Sequence, residues 1–333
     1  MEFLTFNQLP LYTDDFSFHA LLSDSNERDA IVIHHPQDAI CVSPVFLRSR
    51  KPLAEHIEYV QTHQLKKAIV IAEDIHFLTQ CPSLEYLRII PAISVQEFDF
   101  SPLYEMPCIR WLNCDTMYGP HDQRVSQIDY SKIHGLQCLY AREKEGHQRI
   151  DAINGLKILY LSYGQPQSKT LRGVFDGAAL EKLVLCQSPV QSLDGIEKAV
   201  NLRILALENN RNLKDISALS AVKDTLTRLT IENCGRIQDF SVLSQLHHLD
   251  TLILDGSNTL PDLSCIHHMP NLEHLVVYMN VADGDLRMCK GIAHVAIKNR
   301  RHYNCKDQDF SKNFSNGAQW RQKASDTFIL SSQ

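Results

Sequence analysis

Apolar residues recur along this chain in the order apolar-x-x-apolar-x-apolar. One copy is formed by Leu202, Leu205 and Leu207, and Asn210 follows three residues later. Leu205 and Leu207 are two residues apart, which is the spacing of side chains on one side of a β-strand. The pattern therefore predicts a short strand with these two leucines buried. It also predicts a turn at Asn210, whose side-chain amide can bond to backbone groups that the turn leaves unpaired.

The pattern repeats at intervals of 20 to 27 residues. The copies begin at Leu84, Ile109, Leu136, Leu156, Leu180, Leu202, Leu226, Leu249, Leu272 and Ile292, and a weaker copy begins at Leu65. The position of Asn210 is filled in neighbouring copies by Ser188, Cys234, Ser257 and Asn280. Repeats of this length predict a stack of similar units, each packed on its neighbours.

A second motif follows several copies at a fixed place, Asp-apolar-Ser-x-apolar. It begins at Asp99, Asp129, Asp215, Asp239 and Asp262. Asp and Ser are favoured at the start of helical segments, where a side-chain oxygen accepts a bond from a free backbone N–H. We interpret each Asp as the cap of a short helical turn on the outer side of the repeat.

These two motifs together resemble leucine-rich repeats. The units resemble the short class found in bacterial internalin-like proteins and in the phosphatase-regulating repeat proteins of eukaryotes. The resemblance covers residues 65–298 and implies an α/β leucine-rich repeat solenoid. In such a fold, a curved parallel sheet lies on the concave face and short helical or irregular segments lie outside.

The two ends of the chain do not follow the repeat. In residues 1–64 we predict strands at Ala30–Ile33 and Ala39–Val42 and a helix at Pro52–His63. We interpret 1–64 as an N-terminal cap that could form a small α/β subdomain, since an open repeat array exposes an apolar end. An independent functional domain is the alternative. Residues 299–333 are expected to form a C-terminal cap and tail.

Composition and net charge limit the kinds of partner and the cellular compartment that we expect for this protein. The content of 44% apolar and 22% charged residues is that of a globular protein, and the net charge of −6 argues against nucleic acid and anionic membranes. We find no stretch long enough to span a membrane and no secretory signal. The ten cysteines form no C-x-x-C pair, so we expect free thiols and a cytoplasmic location.

Catalytic and metal-binding patterns are not recognisable in the sequence. The best metal candidate combines Cys289, His294, His302 and Cys305, but its spacing matches no zinc motif. We therefore expect no cofactor and no metal, and no catalytic residues. Two long loops, 116–127 and 162–175, interrupt the earlier repeats and are further candidates for partner binding.

The residues between the core leucines should point out of the sheet and form ladders across neighbouring strands. We expect the following ones to bind a partner: Tyr86, Arg88, Trp111, Tyr140, Arg142, Tyr160, Glu208, Glu232, Asp255 and Tyr278. Aromatic residues and arginine dominate binding energies at interfaces. The alternatives are that the aromatic residues only shield the sheet or pack beneath the loops, and that the acidic ones only form a solvated face.

The expected function is non-enzymatic binding of one protein partner with a basic patch on the concave face. A specific form of this hypothesis is a bacterial cytosolic immunity protein that neutralises a toxin. One alternative is a secreted or injected effector that acts on host proteins. Another is an enzyme with its site in residues 1–64. The sequence leaves the oligomeric state open.

Overall fold

The computed structural model describes residues 30–35, 52–92, 95, 97–114, 128–141, 149–162, 169–175, 177 and 179–310. The chain divides into two compact units. The first comprises Met1–Arg142 with Gln322–Gln333, and the second comprises Glu143–Arg321.

The first unit contains a parallel sheet whose strands pair in chain order. Its strands are β1 (Ala30–His35), β2 (Lys67–Ala72), β3 (Tyr86–Pro91), β4 (Trp111–Asn113) and β5 (Cys138–Ala141). Helix α1 (Leu53–His63) lies between β1 and β2 in the sequence, and 3₁₀ turns at His76–Gln80, Ser101–Glu105 and Tyr130–Lys132 connect later strands. The strand of the weak copy at Leu65, β2, pairs with β3 in the same parallel sheet.

The second unit repeats the same arrangement. Its main strands are β6 (Ile158–Ser162), β7 (Lys182–Cys186), β8 (Ile204–Glu208), β9 (Arg228–Glu232), β10 (Thr251–Asp255), β12 (His274–Val277) and β14 (His294–Ile297). Two short strands, β11 (Thr259–Leu260) and β13 (Asn280–Val281), form a separate parallel pair. The 3₁₀ turns are Ile150–Ala152, Ile196–Lys198, Ser217–Val222, Ser241–Gln245, Ser264–His268, Arg287–Cys289 and Asp307–Asp309.

The core consists of ladders of equivalent apolar residues. Leu205 pairs with Leu183 on one side and with Leu229 on the other, and the same row continues through Leu252 and Leu275. Each of these five side chains is at most 1% exposed. The predicted strand register is confirmed, and both units have the parallel sheet and the repeating outer turns of a leucine-rich repeat fold.

The acidic residue of the second motif caps the outer turns as predicted. For example, the Asp239 Oδ1 atom accepts a hydrogen bond from the backbone N–H of Ser241, the first residue of its 3₁₀ turn, at 2.8 Å. The same bond, at 2.7 to 3.1 Å, recurs in the other four copies, at Asp99, Asp129, Asp215 and Asp262. These bonds hold the pKa of Asp215 and Asp239 below the usual value of an aspartate, with the backbone N–H of the serine as the main cause.

The turn position after each strand differs in part from the prediction. Asn210 is fully buried, as expected, but Ser257 is exposed and Asn258 takes the buried place instead. Gly256, with φ of +150°, adds a residue to this turn and shifts the register by one. In the next repeat Met279 is buried rather than Asn280, whose backbone is in β13. The assignments of Ser257 and Asn280 were therefore wrong.

The N-terminal elements agree with the prediction where the structure describes them. The strand at Ala30–Ile33 is part of β1 and the helix is α1, whereas Ala39–Val42 lies outside the described residues. Val60 is buried in α1, but the other fully buried residue is His56 rather than Leu53 or Ile57. The Nδ1 atom of His56 is 3.2 Å from the carbonyl oxygen of Pro52, which satisfies one polar atom of the buried ring.

Residues 299–310 pack against the last repeats. The Asp307 Oδ1 atom accepts a hydrogen bond from the backbone N–H of Ile297 in β14, at 2.8 Å. The hydroxyl of Tyr303 accepts from the backbone N–H of Val281 at 2.9 Å and donates to the carbonyl of Met279 at 3.3 Å. Side chains here satisfy backbone groups that the next repeat would otherwise bond, which is the physical basis for our capping interpretation of this segment.

Candidate functional site

In both units one side of the sheet packs into the core, and the opposite side contains both buried and partly exposed residues. In β9, Leu229 and Ile231 are fully buried, whereas Arg228, Thr230 and Glu232 on the opposite side remain partly exposed. We call this opposite side of each sheet its open face. The expected partner-binding residues come from this face.

The open face of the first unit carries an aromatic group formed by Tyr86, Trp111 and Tyr140. Tyr86 in β3 pairs with Trp111 in β4. Tyr140 in β5 pairs with Asn113, which lies two residues after Trp111 in β4. The rings of Trp111 and Tyr140 are tilted by 48° with their centroids 5.2 Å apart. Arg88 pairs with Asn113, so it stands in the same row as Tyr140. The structure thus brings four of the expected residues together.

Within this group Trp111 differs from its neighbours in exposure. Its side chain is 7% exposed, whereas Tyr86, Arg88 and Tyr140 are partly exposed. The Lys67 ammonium lies 5.9 Å from the centroid of the Tyr86 ring. The Trp111 ring therefore contributes little accessible area to this face, and Tyr86 and Tyr140 provide most of its exposed aromatic surface.

The other expected aromatic and basic residues are placed differently. Tyr160 lies on the open face of the second unit, where it pairs with Val184 and is partly exposed. Arg142 lies outside the described residues, as does the loop 116–127 and the part of the second long loop at 163–168.

The open face of the second unit carries a row of three carboxylates, which we call the acidic row. Glu208, Glu232 and Asp255 are the last residues of three neighbouring strands and pair directly with each other. Parallel strands lie ~4.8 Å apart, so these side chains are close neighbours. Tyr278 follows directly after Val277, which pairs with Leu254, so it continues the same row.

The acidic row is positioned by the turns that end the strands. The backbone N–H of Asn209 donates to the carbonyl of Glu232, and that of Asn233 donates to the carbonyl of Asp255, both at 2.8 Å. Asn209 and Asn233 adopt left-handed backbone conformations, with φ of +57° and +53°. Asn tolerates this conformation better than most residues. Sequence analysis did not single out these two asparagines, although an Asn directly after Glu208 and after Glu232 was the available signal.

Two histidines on the open face were not predicted to interact. His274 in β12 pairs with His294 in β14, and their rings are stacked with centroids 4.5 Å apart. The proposed metal cluster around His294 does not assemble, because His302 lies with its Nε2 atom 2.9 Å from the carbonyl oxygen of Val281. The described residues contain no group of three potential metal ligands.

Two further properties bear on the classes of function. Among the described residues, no helix has both the length and the apolar character needed to cross a bilayer. In the second unit, Ile150, Ile153, Leu156, Phe175 and Leu180 help to line a pocket of about 250 Å³. Among the described residues that line it, none carries a titratable side chain.

Comparisons with known proteins give distant structural likenesses. No family model matches the sequence. No curated protein matches it either. An internalin from Listeria monocytogenes shares 13% identity, with coverage of 82% of this chain and 87% of that chain and a TM-score of 0.40. A leucine-rich repeat protein of Leptospira interrogans shares 15% identity, with coverage of 81% and 77% and a TM-score of 0.42.

A third solved structure is the functional domain of InlJ from Listeria monocytogenes. It shares 14% identity, covers 80% of this chain and 72% of that chain, and has a TM-score of 0.33. At such identities and scores the likenesses say nothing about partners, so the assignment rests on the chain's own ladders, capped turns and parallel strands. On these features the chain has a leucine-rich repeat fold.

Proposed function

We propose that this protein is a non-enzymatic binding module that holds a protein partner on the open face of its sheet. The observation that carries the proposal is the acidic row. Like charges placed directly opposite each other on neighbouring strands destabilise a sheet. Three carboxylates side by side on adjacent strands are complementary in charge to a basic patch, so the row favours a partner with clustered lysine or arginine side chains.

The aromatic group supports the same proposal from the first unit. Tyrosine and tryptophan offer large, rigid contact areas, and arginine beside them is common at the centres of interfaces. Tyr86 and Arg88 in β3 and Tyr140 in β5 combine these properties, with β4 between the two strands. We expect this group to supply affinity and the acidic row to supply steering and specificity.

Capture of the partner tests this proposal. Immobilised wild-type protein, exposed to native lysate, should retain a partner that mass spectrometry can identify. Tyr86→Ala combined with Tyr140→Ala should weaken its binding by a factor of ~30 or more, the equivalent of ~2 kcal/mol. Tyr59→Ala is a matched control, because Tyr59 stacks on His63 in α1, away from the open face. Equal retention by all three proteins would refute the proposal.

The narrower hypotheses depend on the identity of that partner. A secreted toxin as the captured protein would support an immunity function, and a host protein would support an effector. Cytoplasmic location remains a prediction and is tested by cell fractionation. A variant lacking residues 1–64 tests the enzymatic alternative, since any activity that disappears while the captured partner stays bound would belong to that segment.

A further inference from the structure

His274 and His294 occupy the same position in the last two repeats. Each begins its strand, and the two residues pair directly between β12 and β14. Their rings are nearly parallel, with an interplanar angle of 14° and centroids 4.5 Å apart. Both side chains are partly exposed, while the Nδ1 atom of each ring is buried. The two imidazole rings therefore contact each other on the open face of the second unit.

The charged groups around this pair come from three strands. Arg228 in β9 stands in the same row, separated from His274 by Thr251. Its Nε atom lies 3.5 Å from the Oδ1 atom of Asp250, the residue before β10. Glu273 directly precedes His274 in the chain. Asp250 and Glu273 favour protonation of His274, whereas Arg228 and a charged His294 oppose it.

Stacking suits two neutral rings, or one neutral and one charged ring, better than two charged ones. Two unit charges at about 4.5 Å repel each other strongly even near a protein surface. Burial, and then the proximity of His294, lower the pKa of His274 from its ordinary value of 6.5. The folded pair thus accepts a first proton more easily than a second, and its two protonation steps are coupled.

Strand β14 is the element that such repulsion would move. Within the described residues it pairs with β12 and with no strand beyond. Only four residues form this pairing, and His294 is the first of them. A terminal strand with few partners opens locally at a lower free-energy cost than a strand inside the sheet.

We propose that His274 and His294 form a proton-operated switch that loosens the last strand pair when both rings are protonated. Because the native fold favours neutral His274, the contribution of the pair to stability is present above about pH 6.5. It is lost as the pH falls below this value. The switch belongs to the chain itself and does not depend on the identity of a binding partner.

Titration of the imidazoles by NMR between pH 8 and 4.5 tests the coupling. In the wild type, His274 should protonate at a lower pH than an ordinary imidazole, because burial and the neighbouring His294 lower its pKa. His294→Gln should raise the midpoint of His274 towards its ordinary value. His247→Gln is the control, because His247 meets His268 at a ring distance of 6.1 Å in an exposed segment. Two independent midpoints, unchanged in the variants, would overturn the proposal.

Hydrogen exchange tests the mechanical consequence. After correction for intrinsic rates, the amides of His294 and Lys298, which donate to the carbonyls of Glu273 and Val277, should exchange several-fold faster at pH 5 than at pH 7, relative to those of Leu252 and Leu254 in β10. His294→Gln should remove this difference. Should a variant fail to fold, the wild-type comparison still decides, since equal pH dependence in β14 and β10 would contradict the switch.

Discussion

The side-chain amide of Asn210 donates a hydrogen bond from Nδ2 to the carbonyl oxygen of Leu185, one repeat earlier, at 2.9 Å. Its Oδ1 atom accepts from the backbone N–H of Ser188 at 2.8 Å. Asn210 has no exposed surface, so no solvent could replace these bonds. One side chain thereby joins the turns of two repeats.

Asn210→Ala should lower the free energy of unfolding by ~1–3 kcal/mol, because it leaves two buried backbone groups without partners. Urea denaturation followed by circular dichroism measures this loss. Arg211→Ala, at the exposed next position, is the control and should change the midpoint little. Equal midpoints for the two variants would show that the bonds of Asn210 contribute nothing to stability.

Gly195 and Gly173 both have left-handed backbone conformations, and substituting each one distinguishes the cost of backbone strain from the cost of a steric clash. A Cβ atom at Gly195 would lie 2.5 Å from the carbonyl carbon of Leu171, whereas one at Gly173 would meet nothing within 4 Å. Gly173→Ala should cost ~1–2 kcal/mol from conformation alone. Gly195→Ala should cost clearly more in the same urea experiment. A smaller loss at Gly195 than at Gly173 would contradict the packing of segment 169–175 against this turn.

The capping aspartates should make the protein sensitive to acid. The folded pKa values of Asp215 and Asp239 lie below the unfolded value of 3.8, so the stabilisation from these two caps is present above about pH 3.8 and is lost as the pH falls through the folded values. Thermal melts between pH 7 and 3 should therefore show a falling midpoint at the acid end.

Asp215→Ala combined with Asp239→Ala should flatten that fall. The exposed Asp224, which follows a 3₁₀ turn, provides the control Asp224→Ala. An unchanged acid profile in the double variant would mean that these caps do not set the acid stability.

The thiols should differ widely in reactivity. Nine of the ten cysteines lie in the described part of the chain, and none of those nine is in a disulfide. Burial raises the pKa of Cys81 and Cys234 to about 11, and burial is also the main cause that raises that of Cys289 to about 12, so their thiolates are scarce at neutral pH. Cys108 is exposed.

A thiol reagent at pH 8 should label Cys108 in a fast phase, and Cys108→Ser should reduce that phase by one thiol per chain. Counting in denaturant should return all ten. Fast labelling of Cys234 or Cys289 in the native protein would contradict their burial.

The ladders could be predicted from the sequence because a strand has a strict period of two residues. Once Leu205 and Leu207 face the core, Glu208 and its equivalents must take the next open position. The acidic row and the Tyr86–Trp111 pairing follow from that period together with the alignment of successive repeats. Turns have no such period, so the extra residue at Gly256 moved the buried position from Ser257 to Asn258 without any warning in the spacing.

The repeat pattern in the sequence does not predict side-chain conformation. The repeat places His274 and His294 at equivalent positions, but their stacking depends on rotamers that spacing does not determine. The same holds for Trp111, whose burial against Tyr140 could not be read from its open-face position. His56 in α1 was missed because its bond to Pro52 makes a polar residue suitable for burial.

The association rate of the captured partner tests the central proposal most directly. The variant is Glu208→Lys combined with Glu232→Lys, and Asp224→Lys is the control for a charge reversal away from the open face. Screening at ~0.15 M salt acts over ~8 Å, so surface plasmon resonance at low and physiological salt separates steering from contact. We expect the double variant to associate more slowly, with a flatter salt dependence and a smaller change in dissociation, while the control resembles the wild type. Association rates equal to those of the wild type at both salt concentrations would contradict binding of a basic partner at the acidic row.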